Sequence, residues 1–157
     1  MIEEKIKELG YELPAAPKPL AAYIPALIEG SLVYTAGQLP FAGGELKYQG
    51  KVGFDISEEE GQKAAEICAL NCLSVIKSVA GSLDAIERII KVTVFINSAD
   101  GFTAQPKVAN GASEFFVKVF GEAGRHVRSA VGVNELPVNA AVEVEIIAKL
   151  KNERASI

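Results

Sequence analysis

The stretch Gly124 to Leu150, GRHVRSAVGVNELPVNAAVEVEIIAKL, decides how the rest of the chain is read. Val127, Ser129, Val131 and Val133 alternate with Arg128, Ala130, Gly132 and Asn134. After Glu135-Leu136-Pro137-Val138-Asn139, Val142, Val144, Ile146, Ala148 and Leu150 alternate with Glu143, Glu145, Ile147 and Lys149. Period-two alternation around an Asn- and Pro-containing break predicts strand, turn, strand. Opposed residues in a tight antiparallel hairpin have a constant index sum and share a face. A turn centred on Glu135 and Leu136 sets Arg128 opposite Glu143, and a turn one residue later sets it opposite Glu145. Either register predicts a guanidinium beside a carboxylate on the less apolar sheet face.

Working outward, Val108, Ala112, Phe115, Phe116 and Val119 follow helical spacing between Pro106 and Gly121. Pro suits a first helical turn and Gly a stop, so a helix is predicted from about 106 to 120. Gly111 inside it costs about 1 kcal/mol against Ala and points to close packing. Ile86 to Asn97 reads as a strand with the β-rich centre KVTVFI. Ser57 to Ala80 is a helix, with Ser57 and Glu60 as a capping box, three glutamates at its positive end and Gly81 as stop. Tyr23 to Ile28 and Leu32 to Ala36 read as a hairpin turning at Glu29-Gly30. Residues 41 to 56, with a short strand at 45 to 48, read as a mobile connection. Residues 2 to 9 form a short amphipathic helix with Ile2, Ile6 and Leu9 on one side. The proline-rich residues 13 to 20 form an arm laid on the domain, and 151 to 157 a polar tail. One domain is expected over residues 1–157: helix and arm at 1–20, a core at 21–150 and the tail. The fold class is α+β, a mostly antiparallel sheet with two helices on one face. Its second face is half apolar, which predicts cover by another subunit.

Sixteen Lys and Arg stand against twenty Asp and Glu, for a net charge of -4. There is no basic run, which disfavours nucleic acid as a partner. No apolar segment approaches the ~18 residues of a membrane span, and the charged N-terminus is unlike a secretory signal, so neither a membrane partner nor secretion is expected. Cys68 and Cys72, four apart on a helix, read as small core residues of a protein in a reducing, cytoplasmic setting. There is no nucleophile elbow, phosphate loop or zinc-ligand cluster, so no metal site is expected. The one histidine, His126, shares a face with Arg128, which would lower its pKa. It is a possible general base, though the residues alone favour a polar histidine at a strand start. The residues alone also favour a structural ion pair for Arg128 over a carboxylate anchor, although its planar fork suits either role.

Gly37-Gln38-Leu39-Pro40 after a strand, KVTVFINS, and the closing R-S-A-V-x-V-x-x-L-P-x-x-x-x-V-E-V-E-x-I-A resemble the YjgF/Rid family of reactive intermediate deaminases, also called endoribonuclease L-PSP. The resemblance covers Tyr23 to Leu150 and is nearest the family's longer subgroup. It implies a chorismate-mutase-like fold and a homotrimer, whose sheets form a central barrel with ligand clefts between subunits. It implies cofactor-independent hydrolysis of small enamine/imine intermediates of the 2-aminoacrylate type to a 2-keto acid and ammonia. By similarity Arg128 grips the substrate carboxylate and Glu143 holds the attacking water. Tyr23, Gly37 and Ala130 complete the substrate-binding set. Two positions depart from the well-known deaminases: a serine is Ala36 here, and a cysteine is Ala130. A helix asparagine of the family has no secure match, Asn110 being one place off. Two other outcomes stay open, a non-catalytic binder of small carboxylic acids and, against the charge balance, an endoribonuclease.

Overall fold

The computed structural model describes residues 1–16 and 22–154. The elements run α1 (Ile2–Glu8), β1 (Ala26–Thr35), β2 (Phe41–Ala42), β3 (Glu45–Leu46), α2 (Glu58–Ala80), β4 (Ile86–Asn97), α3 (Gln105–Phe120), β5 (Val127–Val133) and β6 (Val142–Arg154). Four strands form one mixed sheet in the order β1-β6-β4-β5, and β2 and β3 form a separate small hairpin. β6 is antiparallel to both β1 and β4, whereas β5 is parallel to β4. The sheet is therefore mostly antiparallel, with α2 and α3 packed on one face. No helix among the described residues is long and apolar enough to cross a membrane.

Both strands of the opening stretch are present, but they do not form a hairpin. β4 lies between them, pairing Val92 with Arg128 on one side and Phe95 with Glu143 on the other. β4, α3 and β5 make a strand–helix–strand crossover, which returns β5 parallel to β4 at the sheet edge. The chain then has to pass over the end of β4, about 10 Å for two strand spacings, which a tight turn cannot span. Residues 134–141 make that crossing, with a 3-10 turn at Pro137–Asn139 and left-handed Val138 (φ 51) and Asn139 (φ 58). The preceding connection clamps them. Lys51 Nζ donates to the Asn134 carbonyl and pairs with Glu135 at 3.5 Å, and Gln49 Nε2 donates to the Val138 carbonyl at 3.0 Å. Residues 41–56 are thus tied down at several points.

The outer layers follow the apolar spacing. α2 starts on Ser57, whose side chain accepts from Glu60 N–H while Glu60 returns a bond to Ser57 N–H, and it ends at Gly81 (φ 84). Cys68 and Cys72 are fully buried, their thiols donating to the Val142 and Val144 carbonyls of β6 at 3.5 and 3.4 Å. α3 buries Val108, Ala112, Phe115, Phe116 and Val119. A Cβ on Gly111 would lie 2.0 Å from the Gln62 carbonyl oxygen of α2, so the two helices touch backbone to backbone at that glycine. α1 is shorter than its sequence pattern and buries Ile6, while Leu9 is 40% exposed.

Several strand boundaries also differ from expectation, β1 beginning at Ala26 rather than Tyr23. β1 is one strand, kinked by a bulge between Gly30 (φ 63) and Leu32, because β6 is long enough to pair with both halves. Lys151 to Arg154 extend β6 against β1 rather than forming a tail. The short strand expected at 45 to 48 stops at Leu46 and pairs with Phe41–Ala42 across Gly43-Gly44. Of the proline-rich arm, Pro14 accepts a bond on its carbonyl from Ser74 Oγ of α2 at 2.6 Å. Residues 17–20 of the arm and 155–157 of the tail lie outside the described residues.

Candidate active site

Arg128 shares the helix-covered face with Val92, its pairing partner on β4. Its guanidinium is held by α3. Nη1 donates to Asn110 Oδ1 at 2.9 Å and to Ser113 Oγ at 3.1 Å, and Nη2 donates to the Pro106 carbonyl at 3.3 Å. Residues 106, 110 and 113 follow helical spacing and line one stripe of α3. Both Nη1 hydrogens are spent, so the donors left open lie on the edge that carries Nε and Nη2.

His126, two residues earlier, reaches the same stripe. Its Nε2 lies 2.8 Å from Ser113 Oγ and its Nδ1 2.7 Å from the Gly124 carbonyl oxygen. Phe116 meets the imidazole edge to face at 5.9 Å. Burial lowers the His126 pKa below its usual 6.5, the Gly124 carbonyl opposes this, and the Arg128 charge lowers it further. The shared face read from the sequence holds, with desolvation ahead of the arginine as the cause.

Glu143 occupies the other face. It alternates with buried Val142 and Val144 and pairs across to Phe95. The β1 ladder to β6 is interrupted beside it. Ile146 N–H donates to Thr35 Oγ1 at 3.0 Å instead of to a backbone carbonyl, and regular bonding resumes where Gln38 and Val144 exchange N–H···O bonds at 2.8 and 3.0 Å. In this bulge Gly37 faces the carboxylate, and a Cβ there would lie 2.3 Å from Glu143 Oε1. The Gly-Gln pair at the strand end thus has a physical reason: only glycine leaves room for Glu143. The Glu143 pKa is raised, first by desolvation and then by Glu145 on the same face. Among the described residues no hydrogen bond or ion pair reaches its carboxylate.

The expected pairing of Arg128 with Glu143 or Glu145 within one chain is therefore overturned. β4 separates the strands, and the guanidinium and the carboxylate project from opposite faces of the sheet. Ala130, paired with Val94, packs against the core on the arginine's face. Ala36 lies beside Gly37, with its N–H bonded to the Pro25 carbonyl at 2.8 Å. Tyr23 is 62% exposed, just before β1. Two contributors stood outside the expected set, Ser113 and Asn110, the latter noted only as one place off the family's helix asparagine. The signal that could have found them is a pair of polar residues three apart on a helix whose neighbours at 108, 109 and 112 are buried. Among the described residues no group of three or more His, Cys, Asp or Glu is placed to hold a metal.

Residues 3–150 match the family model described as YjgF/chorismate_mutase-like, putative endoribonuclease. The chain is 42% identical to protein TCP17 of Trypanosoma cruzi, covering 96% of this chain and 95% of that one. It is 30% identical to the 2-iminobutanoate/2-iminopropanoate deaminase of Dermatophagoides farinae, covering 88% and 93%. Among solved structures it superposes on Atu1372 of Agrobacterium tumefaciens with a TM-score of 0.89 at 44% identity, over 96% and 92% of the chains. Escherichia coli TdcF with bound serine superposes with a TM-score of 0.62 at 27% identity, over 85% and 92%.

Proposed function

Since this chain belongs to the YjgF/chorismate-mutase-like family, we propose that it hydrolyses small 2-imino acids to 2-keto acids and ammonia in a cleft shared by two subunits. The observation that carries this reading is the state of Arg128. Its guanidinium is tethered to α3 through three hydrogen bonds, no carboxylate among the described residues pairs with it, and one edge keeps free donors. That edge suits a substrate carboxylate. Its relatives support the same chemistry, one named as an imine deaminase and another crystallised with the amino acid serine.

The reaction needs little else. Tautomerisation of 2-aminoacrylate gives 2-iminopropanoate, whose protonated C=N carbon is electrophilic. Water adds to that carbon as Glu143 accepts its proton, giving a carbinolamine. That proton passes to nitrogen, Glu143 takes the hydroxyl proton as C=O forms and the C–N bond breaks, and pyruvate and ammonia leave. Glu143, half-buried and without an ion-pair partner among the described residues, is suited to take and return one proton. Arg128 holds the substrate so that the water lies within reach. Because Arg128 and Glu143 lie on opposite faces, a site using both draws the arginine from one copy and the glutamate from a neighbour, as in the homotrimer proposed here.

A reading as a carboxylate binder without turnover is favoured by Ala36 and Ala130, which bring no side-chain polar group to the site. One experiment separates the two. With 2-aminoacrylate generated in situ, the protein should accelerate keto-acid release. Arg128→Ala should reduce that acceleration roughly ten- to a hundredfold, the worth of charge-assisted hydrogen bonds. Release no faster than in buffer, with 2-ketobutyrate still bound, would establish the binder instead.

A further inference from the structure

We infer that Ser113 and His126 are positioning residues for Arg128, joined in a one-way chain of hydrogen bonds that fixes which edge of the guanidinium faces a ligand carboxylate. The inference rests on the reading of Arg128 as the carboxylate anchor. Directions along the chain follow from donor and acceptor inventories. The Gly124 carbonyl only accepts, so His126 Nδ1 carries the proton across their 2.7 Å contact. In the neutral ring Nε2 is then an acceptor, and the Ser113 hydroxyl donates to it at 2.8 Å. With its proton committed, Ser113 Oγ turns lone pairs toward Arg128 Nη1, which donates at 3.1 Å. Asn110 Oδ1 takes the other Nη1 hydrogen.

The far end of this chain is itself fixed. Gly124 is buried, and a Cβ there would lie 2.2 Å from the Phe116 carbonyl oxygen. The backbone before β5 is therefore pressed against α3, and the acceptor that orients His126 cannot drift. β5 lies at the sheet edge, and among the described strands it pairs only with β4. The Ser113–His126 chain thus supplies a second tie from β5 back to α3. Without the Ser113 oxygen an Nη1 hydrogen is left over and the guanidinium is free to turn its other edge outward. Without an acceptor at His126, the Ser113 hydroxyl is free to bond back to its own helix, as serine does in helices.

The test measures the Kd of 2-ketobutyrate by calorimetry and kcat and KM for 2-aminoacrylate at pH 8, where His126 is neutral. Ser113→Ala and His126→Phe should each weaken Kd and raise KM about tenfold, with the loss falling on KM more than on kcat. The double variant should be no worse than either single one, because both break one chain. His126→Gln, whose side-chain oxygen can accept the serine proton, should restore binding. Arg128→Ala that binds 2-ketobutyrate as tightly as the parent would overturn the anchor reading itself. Loss of binding in Arg128→Ala, with Ser113→Ala binding like the parent, would overturn the positioning role alone. So would additive losses in the double variant. Ser113→Ala decides the matter even where His126→Phe fails to fold, as its thermal melt would show.

Discussion

At the residue scale, Glu143 carries a stability cost that the proposed chemistry would use. The raised Glu143 pKa means that the folded protein binds this proton more tightly than the unfolded chain does. The stability this group contributes is fully present below its unfolded pKa and is lost as pH rises through the folded value. Glu143→Gln is therefore expected to raise Tm at pH 7, with the gain shrinking as the pH is lowered toward 4. Thermal melts of the two proteins at both pH values check this, and an unchanged difference between them would contradict it. In the same window Glu143→Gln should abolish 2-aminoacrylate hydrolysis. Gly37→Ala separates site from fold. Its Cβ collides with the mobile end of Glu143 rather than with backbone. Activity should fall while stability changes by less than about 1 kcal/mol, as measured by urea unfolding beside the rate assay.

At the scale of elements, helices were read from the chain nearly to the residue, and strand neighbours were not. Ser57, Glu60 and Gly81 mark the ends of α2 because caps are local chemistry, satisfied by backbone a few residues away. Ser57→Ala should cost about 1 kcal/mol for that reason. The glycine inside α3 was predicted to mark close packing, and it does: Gly111 is the contact point of α2 and α3. Gly111→Ala gains about 1 kcal/mol of helix propensity but forces the helices apart, so it should destabilise by a net 1–3 kcal/mol. Chemical denaturation measures both. For β5 and β6 the alternation assigned each residue to a face, and every assignment of Val142 to Leu150 holds. It carried no information on which strand lies alongside, since the same alternation serves a parallel pairing, an antiparallel one or a split pair. The N–H and C=O groups that decide the matter are identical in every residue but proline.

At the scale of the whole molecule, the two residues of the proposed site lie on opposite faces of one sheet. The arginine, its histidine and its helix lie on one face, and the glutamate with its glycine bulge lies on the other. In a closed ring of copies, the arginine of one and the glutamate of its neighbour could combine. Mixing equal amounts of impaired Arg128→Ala and inactive Glu143→Gln chains, unfolding and refolding them together, should then recover about a quarter of the parental activity, the fraction of sites that receive both intact residues by random assembly. No recovery in mixed oligomers, verified by mass, would place both residues in one chain's site and contradict the shared cleft. The two apolar-rich faces of the sheet fit this arrangement: the helices cover one, and Val127 and Val131 leave the other partly apolar, at 64% and 44% exposure.

The sequence by itself determined what is local and periodic: where α2 and α3 begin and end, which residues of β6 face the core, and through the closing motif the family. Only the tertiary structure decided how those pieces meet. It placed β4 between β5 and β6, set Arg128 and Glu143 on opposite faces, and brought Asn110 and Ser113 to the guanidinium and His126 to Ser113. The physical reason is the range of the interactions. Capping, turn propensity and side-chain alternation are properties of a few consecutive residues. Strand order and the partners of Arg128 depend on α3 carrying the chain across the sheet, and on β6 burying more apolar surface in the middle of the sheet than at its edge.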